Sequence, residues 1–244
     1  RVQLMSREQR SLEWTPLLFS GGLAFLLFTL FIATMFGEPP MRAGAMIQQA
    51  GGVELGAANL VTAVVLGYRG LDTLGELAIL FASATAVGLV LSTQNGESDK
   101  QASVFPDKIF LGEIFESASR LLMPLLLLLG FYIIIHGHLT PGGGFQGGVI
   151  LAIALFLPAL ARSGEIPLNH ATIRLVEGGA GTLFILIGLM ALMQGESFLQ
   201  PLLQPGEIGA LFSAGSLPLL YLAVGLKVGA ELAALLVHLS GESA

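Results

Sequence analysis

The chain has no cysteine at all. That excludes a disulfide framework, a thiolate metal site and a thiol nucleophile. Charge is also scarce. Only 11% of the 244 residues are Asp, Glu, Lys or Arg, against about 25% in soluble domains. With a formal net charge of -6, nothing recommends a nucleic-acid partner. Histidine occurs four times, too few to favour a metal cluster. What remains is a chain that is 54% hydrophobic with a mean hydropathy of +0.80, the composition of a protein dissolved in lipid. No small-residue cleavage motif follows the first apolar run, so no cleavable leader is expected.

A spanning helix needs about 20 mostly apolar residues. Apolar runs at 17–36, 77–92, 121–135, 149–161, 178–193 and 217–239 meet or approach that length. A weaker run at 53–67 holds Glu54 and Asn59, which suits a helix buried among other helices better than one facing lipid. The expected fold is therefore all-α: a polytopic integral membrane protein of about seven transmembrane helices, three before a polar linker and four after it. The three-helix part covers 1–92, the linker 93–119 and the four-helix part 120–244. The linker is expected to be the only extended solvated stretch. No repeat relates the two parts, which argues against a carrier built from inverted repeats. Loop Lys and Arg residues divide six to four between the two sides, a slight bias that turns the loop at 136–148 outward.

Ionisable residues at membrane depth are costly and mark ion paths or helix contacts. Lys227 and Glu231 lie mid-span, four residues apart and thus on one helical face; His238 falls on the same face three turns on. Two readings stand: a neutralised pair that joins helices, or the wall of a proton or cation path. The lysine-first order is the weaker orientation within one helix, so at least one of the two is expected to find its main partner on another helix or another chain. Asp72 and Glu76 open another span. The helix dipole accounts for Asp72, and less well for Glu76, one turn deeper. Asn59 could supply a neutral oxygen to a hard cation, or simply be satisfied within the bundle.

The stretch "HGHLTPGGGFQGG" packs six glycines, a proline and two histidines into thirteen residues between two apolar runs. Glycine and proline cost about 1 and about 3 kcal/mol in a helix interior. Irregular backbone at membrane depth is tolerated only against protein or a watery cavity. Pro141, Gly142, Gly143 and Gly144 are therefore expected to form a compact break. Phe145, Gln146, Gly147 and Gly148 should start the next helix with room for a close neighbour. His136 and His138 could titrate near neutral pH. As a metal pair they are unsupported, and interfacial hydrogen bonding is the simpler role.

This stretch, with the preceding "RLLMPLLLLLGFYIII" and the later "LPLLYLAVGLKVGAEL", resembles the MnhB-like family. These are the B subunits of Mrp-type multisubunit sodium/proton antiporters and of membrane-bound hydrogenase-type complexes. "GAANLVTAVVLGYRGLDTLGELAIL" resembles, separately, an E-type subunit or the C-terminal domain of the large A-type antiporter subunit. The resemblance implies a fusion of two adjoining parts of one machine. It implies an ion role for Glu76 and a subunit-interface role for the glycine loop. Gly67 stands where the family often has an aspartate, so one carboxylate of the family's site is missing.

The function so implied is a membrane subunit of a cation (sodium)/proton antiporter module, free-standing or within a respiratory complex. The chain would not be an enzyme on its own and would hold no metal or cofactor. Sodium ions or protons would be the transported species. Its partners would be large proton-channel subunits, small antiporter subunits, a hydrogenase-like peripheral arm and the bilayer, and its place the inner (cytoplasmic) cell membrane. The rivals are a scaffold that passes no ion and a self-sufficient carrier.

Overall fold

The computed structural model describes residues 7–33, 42–94, 112–161 and 169–239. Among them every regular element is helical. The chain divides into two compact units, Arg1–Ala45 and Met46–Ala244. The first contains α1 (Arg7–Ala33). Residues 17–33 of this helix carry no charge. A helix apolar on every side belongs in lipid or a core rather than at a water interface. Its apolar segment, Leu17–Ala33, is 17 residues long, slightly short of the usual span.

The second unit opens within a broken helix, at the last residue of α2 (Arg42–Met46). A π-helical turn (Ile47–Gly51) and α3 (Gly52–Leu55) then run to Gly56, which caps the helix in the left-handed region at φ 67°. α4 (Leu60–Thr62) and a second π-helical turn (Ala63–Tyr68) follow. The two limbs are bent by 96°. The single buried helix expected at 53–67 is thus two short ones. Asn59, which the sequence places as a polar residue within it, is the cap that starts α4, accepting from the Val61 N–H at 3.1 Å. Asn favours the cap because its side chain satisfies one of the helix's orphan donors.

Five long helices complete the unit: α5 (Gly70–Gln94), α6 (Gly112–Ile135), α7 (Gly144–Ala161), α8 (His170–Met193) and α9 (Leu217–Leu239). All five are long and apolar enough to cross a membrane, and the bent pair makes a sixth if it is one broken span rather than a re-entrant loop. The protein is a polytopic, all-α membrane protein. The end of the expected linker, 112–119, is already helix in α6, steadied by an ion pair between Arg120 and Glu116. Residues 95–111 lie outside the described residues.

A long irregular and mostly exposed stretch joins α8 to α9 across 194–216, so the expected linker is not the only extended solvated stretch. Pro201 and Pro205 with Gly195, Gly206, Gly209 and Gly215 forbid a helix there. Two of its apolar residues fold inward, Leu199 and Ala214, both buried and at φ 65°, while Leu203, Ile208, Leu211 and Phe212 stay exposed. α9 is the hub of the unit, packing on α5, α6, α7 and α8. Leu220, Val224 and Val228 of α9 join Ile134 of α6 and Phe184 of α8 in one buried cluster.

Candidate functional site

Two constellations stand out, a glycine seam and a buried charge cluster, and α9 takes part in both. At the seam the chain leaves α6, turns through 136–143 and re-enters as α7. Gly142 and Gly143 have φ of 153° and 133°, a region that only glycine occupies readily. A Cβ on Gly143 would lie 2.7 Å from the Tyr221 ring, and one on Gly144 would lie 2.6 Å from Val224 Cβ. On the next turn, a Cβ on Gly147 would meet the Gly130 carbonyl oxygen at 2.7 Å, and one on Gly148 the Gly225 carbonyl oxygen at 2.8 Å. The glycines expected to admit a close neighbour admit two, α6 on one side and α9 on the other. Phe145 is partly buried against the core, while Pro141 and Gln146 are exposed.

The break is tied down by polar bonds. Asn59 donates to the carbonyls of Gly137 at 2.8 Å and Thr140 at 2.9 Å, and its backbone N–H donates to His138 O at 3.0 Å. The Thr62 hydroxyl donates to Gly137 O at 2.6 Å and accepts from the Tyr221 hydroxyl at 2.9 Å. Asn59, a cation ligand or a satisfied polar group by its sequence, is engaged in holding this loop. His136 stacks on Tyr132 at 4.1 Å, with Nδ1 3.0 Å from the Tyr132 carbonyl. His138 is fully buried beside the backbone of Ala210 and Leu211, and neither ring nitrogen makes a well-formed hydrogen bond. Burial pushes its pKa below the ordinary 6.5, which those backbone groups oppose and His136 reinforces.

The charge cluster lies between α8 and α9. Lys227 Nζ donates to Glu231 Oε2 at 3.1 Å and stands 3.8 Å from Glu177 Oε1 of α8. Lys227 and Glu231 are buried, Glu177 half-buried. The lysine also sits 5.1 Å from the centre of the Phe81 ring, within cation–π range. The shorter contact is within the helix, so the expected main partner from another helix is only the longer, second one. Glu231 Oε1 is buried without a hydrogen bond. Glu177 is a site residue that the sequence reading missed. The signal was available: a carboxylate at the edge of an apolar run, in "LVEGGAGTLF". His238 is on α9, but its side chain lies outside the described residues.

Asp72 and Glu76 are not part of this cluster. Asp72 pairs with Arg69 at 2.5 Å, both exposed. Glu76 is exposed and lines, with Arg69, Asp72 and Thr73, a small cleft of about 90 Å³. Among the described residues no group of three His, Asp or Glu is placed to hold a metal.

Known proteins resemble this chain in sequence and fold. The family model described as "Domain related to MnhB subunit of Na+/H+ antiporter" matches residues 114–234, the stretch holding the seam and the charge cluster. An uncharacterised protein of Methanocaldococcus jannaschii is 31% identical over 206 residues, 75% of this chain and 78% of that protein. A Rhizobium meliloti protein, the probable A/B component of a K(+)/H(+) antiporter, is 27% identical over 56% of this chain, a match to 15% of its own length. A chain in the membrane-bound sulfane sulfur reductase, an archaeal respiratory membrane complex, superposes with a TM-score of 0.72 and 36% identity, over 96% of this chain and 99% of that one. A chain of the Mrp complex from Dietzia sp. superposes with a TM-score of 0.69 and 26% identity, over 98% of this chain and 26% of that one. By sequence and fold together, residues 114–234 of this chain belong to the family of domains related to the MnhB subunit of the Na+/H+ antiporters.

Proposed function

We propose that the chain is one subunit of a multisubunit cation/proton antiporter module in the cytoplasmic membrane, helping to pass sodium ions or protons. The module would stand alone or serve a respiratory complex with a peripheral redox arm. The observation that carries this reading is the Lys227–Glu177–Glu231 cluster, buried between two membrane helices. Buried intramembrane carboxylates around one ammonium supply exchangeable proton positions at a depth where such groups are otherwise avoided. The N-terminal part fits a fused E-like or A-like domain, and the A/B name of the Rhizobium relative supports such a fusion. Large proton-channel subunits and small antiporter subunits are the partners this reading requires.

A scaffold reading is favoured by one observation: Asn59 commits its hydrogen bonds to tethering the glycine loop. Lys227→Met separates the two. With complex recovery intact, loss of sodium-dependent proton flux in membrane vesicles supports the path. Full flux leaves the scaffold.

A further inference from the structure

The cleft between α5 and α8 differs from the rest of the apolar surface. Leu74, Ala78 and Phe81 form one wall, Gly178, Thr182 and Ile185 the other, enclosing about 280 Å³. The walls are apolar, yet charge reaches the space. Lys227 and Glu177 line it, and their side chains retain 11% and 19% exposure. Hydrocarbon is a poor occupant for a space with charge at its edge. The charges are also unbalanced, since two carboxylates face one ammonium and Glu231 Oε1 has no donor. Beside the cleft, α8 is flat. A Cβ on Gly178 or Gly179 would meet nothing within 4 Å, and small residues of this kind let a second membrane helix approach closely.

We infer that the cleft between α5 and α8 seats a transmembrane helix of another protein in the complex, one that presents a lysine or arginine to Glu177. The apolar walls fit a helix. The surplus carboxylate fits its basic side chain, which would compensate charge at a depth where water does not. The inference rests on the chain working within a multisubunit complex, but not on the cluster passing ions.

Photo-crosslinking in the assembled complex tests it, with p-benzoylphenylalanine in place of Ile185 and, separately, of Ala78. The expected product joins this chain to a second polypeptide. Peptide mapping should place a lysine or arginine within one helical turn of the attachment point. Glu177→Lys should cut that product about tenfold, since like charges brought together across an interface are strongly unfavourable, while Glu177→Asp should retain it. A complex recovered with all its subunits but giving only lipid adducts, or no adduct, overturns the docking and leaves the proposed function standing. An attachment point on a helix without a basic residue, or full crosslinking of Glu177→Lys, overturns the charge pairing. A chain that purifies with no other polypeptide overturns both readings.

Discussion

At the scale of single residues, Lys227 carries most consequence. Removing one member of a buried ion pair leaves its partner charged and unpaired, at a cost of about 3–5 kcal/mol. Lys227→Met should therefore lower the melting temperature of the detergent-solubilised protein. Adding Glu177→Gln and Glu231→Gln should recover most of the loss, because replacing a whole buried set by neutral groups is often nearly neutral in stability. A triple variant no more stable than the single one would mean that the lysine acts through its packing on Phe81 instead. His138 makes a separate prediction. Its pKa is lowered by burial, so below 6.5 the unfolded chain binds more protons than the folded one. Its contribution to stability is complete above that value and falls as the pH drops through it. The melting temperature should fall as the pH drops below 6.5, and His138→Phe should flatten that slope. An unchanged slope would show that the ring is already charged in place or free to swing out.

At the scale of elements, the glycine seam sets how closely α6, α7 and α9 approach. Gly147→Ala would push a methyl group to 2.7 Å from a backbone oxygen on α6, and such overpacking typically costs about 1–3 kcal/mol. Gly75→Ala on α5 meets nothing within 4 Å and should gain up to about 1 kcal/mol from helix propensity. Thermal melts of the two variants should move in opposite directions, and equal shifts would reduce the seam to a turn. This element was legible in the sequence because its signal is local: glycines clustered where a helix must break. The broken helix at 56–59 was not. Asn59 reads as a stray polar group until its acceptors, 78 and 81 residues away, are known. Glu177 stayed hidden for the same reason, its partner being fifty positions along the chain and on another helix. α8 ends and α9 begins where the apolar runs at 178–193 and 217–239 put them; the exposed stretch between them went unnoticed because its leucines and phenylalanines hide its solvation, while its prolines and glycines decide the backbone.

At the scale of the whole chain, the question is whether one polypeptide holds a complete route for an ion. A route needs exchangeable groups in succession from one side of the membrane to the other. Among the described residues the buried Asp, Glu, Lys and Arg side chains inside the spans are Lys227 and Glu231, with half-buried Glu177 beside them. Asp72 and Glu76 are exposed and line a different cleft. Tyr221 and Thr62 form a buried hydroxyl pair, but Thr62 directs its proton to the Gly137 carbonyl, which fixes that pair as a tether. A single buried cluster is one station, not a path. Outward-facing leucines such as Leu121, Leu128 and Leu175 leave much of the helical surface to lipid or to neighbouring chains. The chain reconstituted alone into vesicles should therefore show no sodium-dependent proton flux, while the purified complex shows it under the same gradient. The comparison needs equal chain content and a check by circular dichroism that the isolated chain keeps its helices. Flux from the isolated, folded chain would make it a carrier in its own right, and the missing stations would then have to lie outside the described residues, in 34–41, 95–111, 162–168 or the chain ends, or at the His238 side chain.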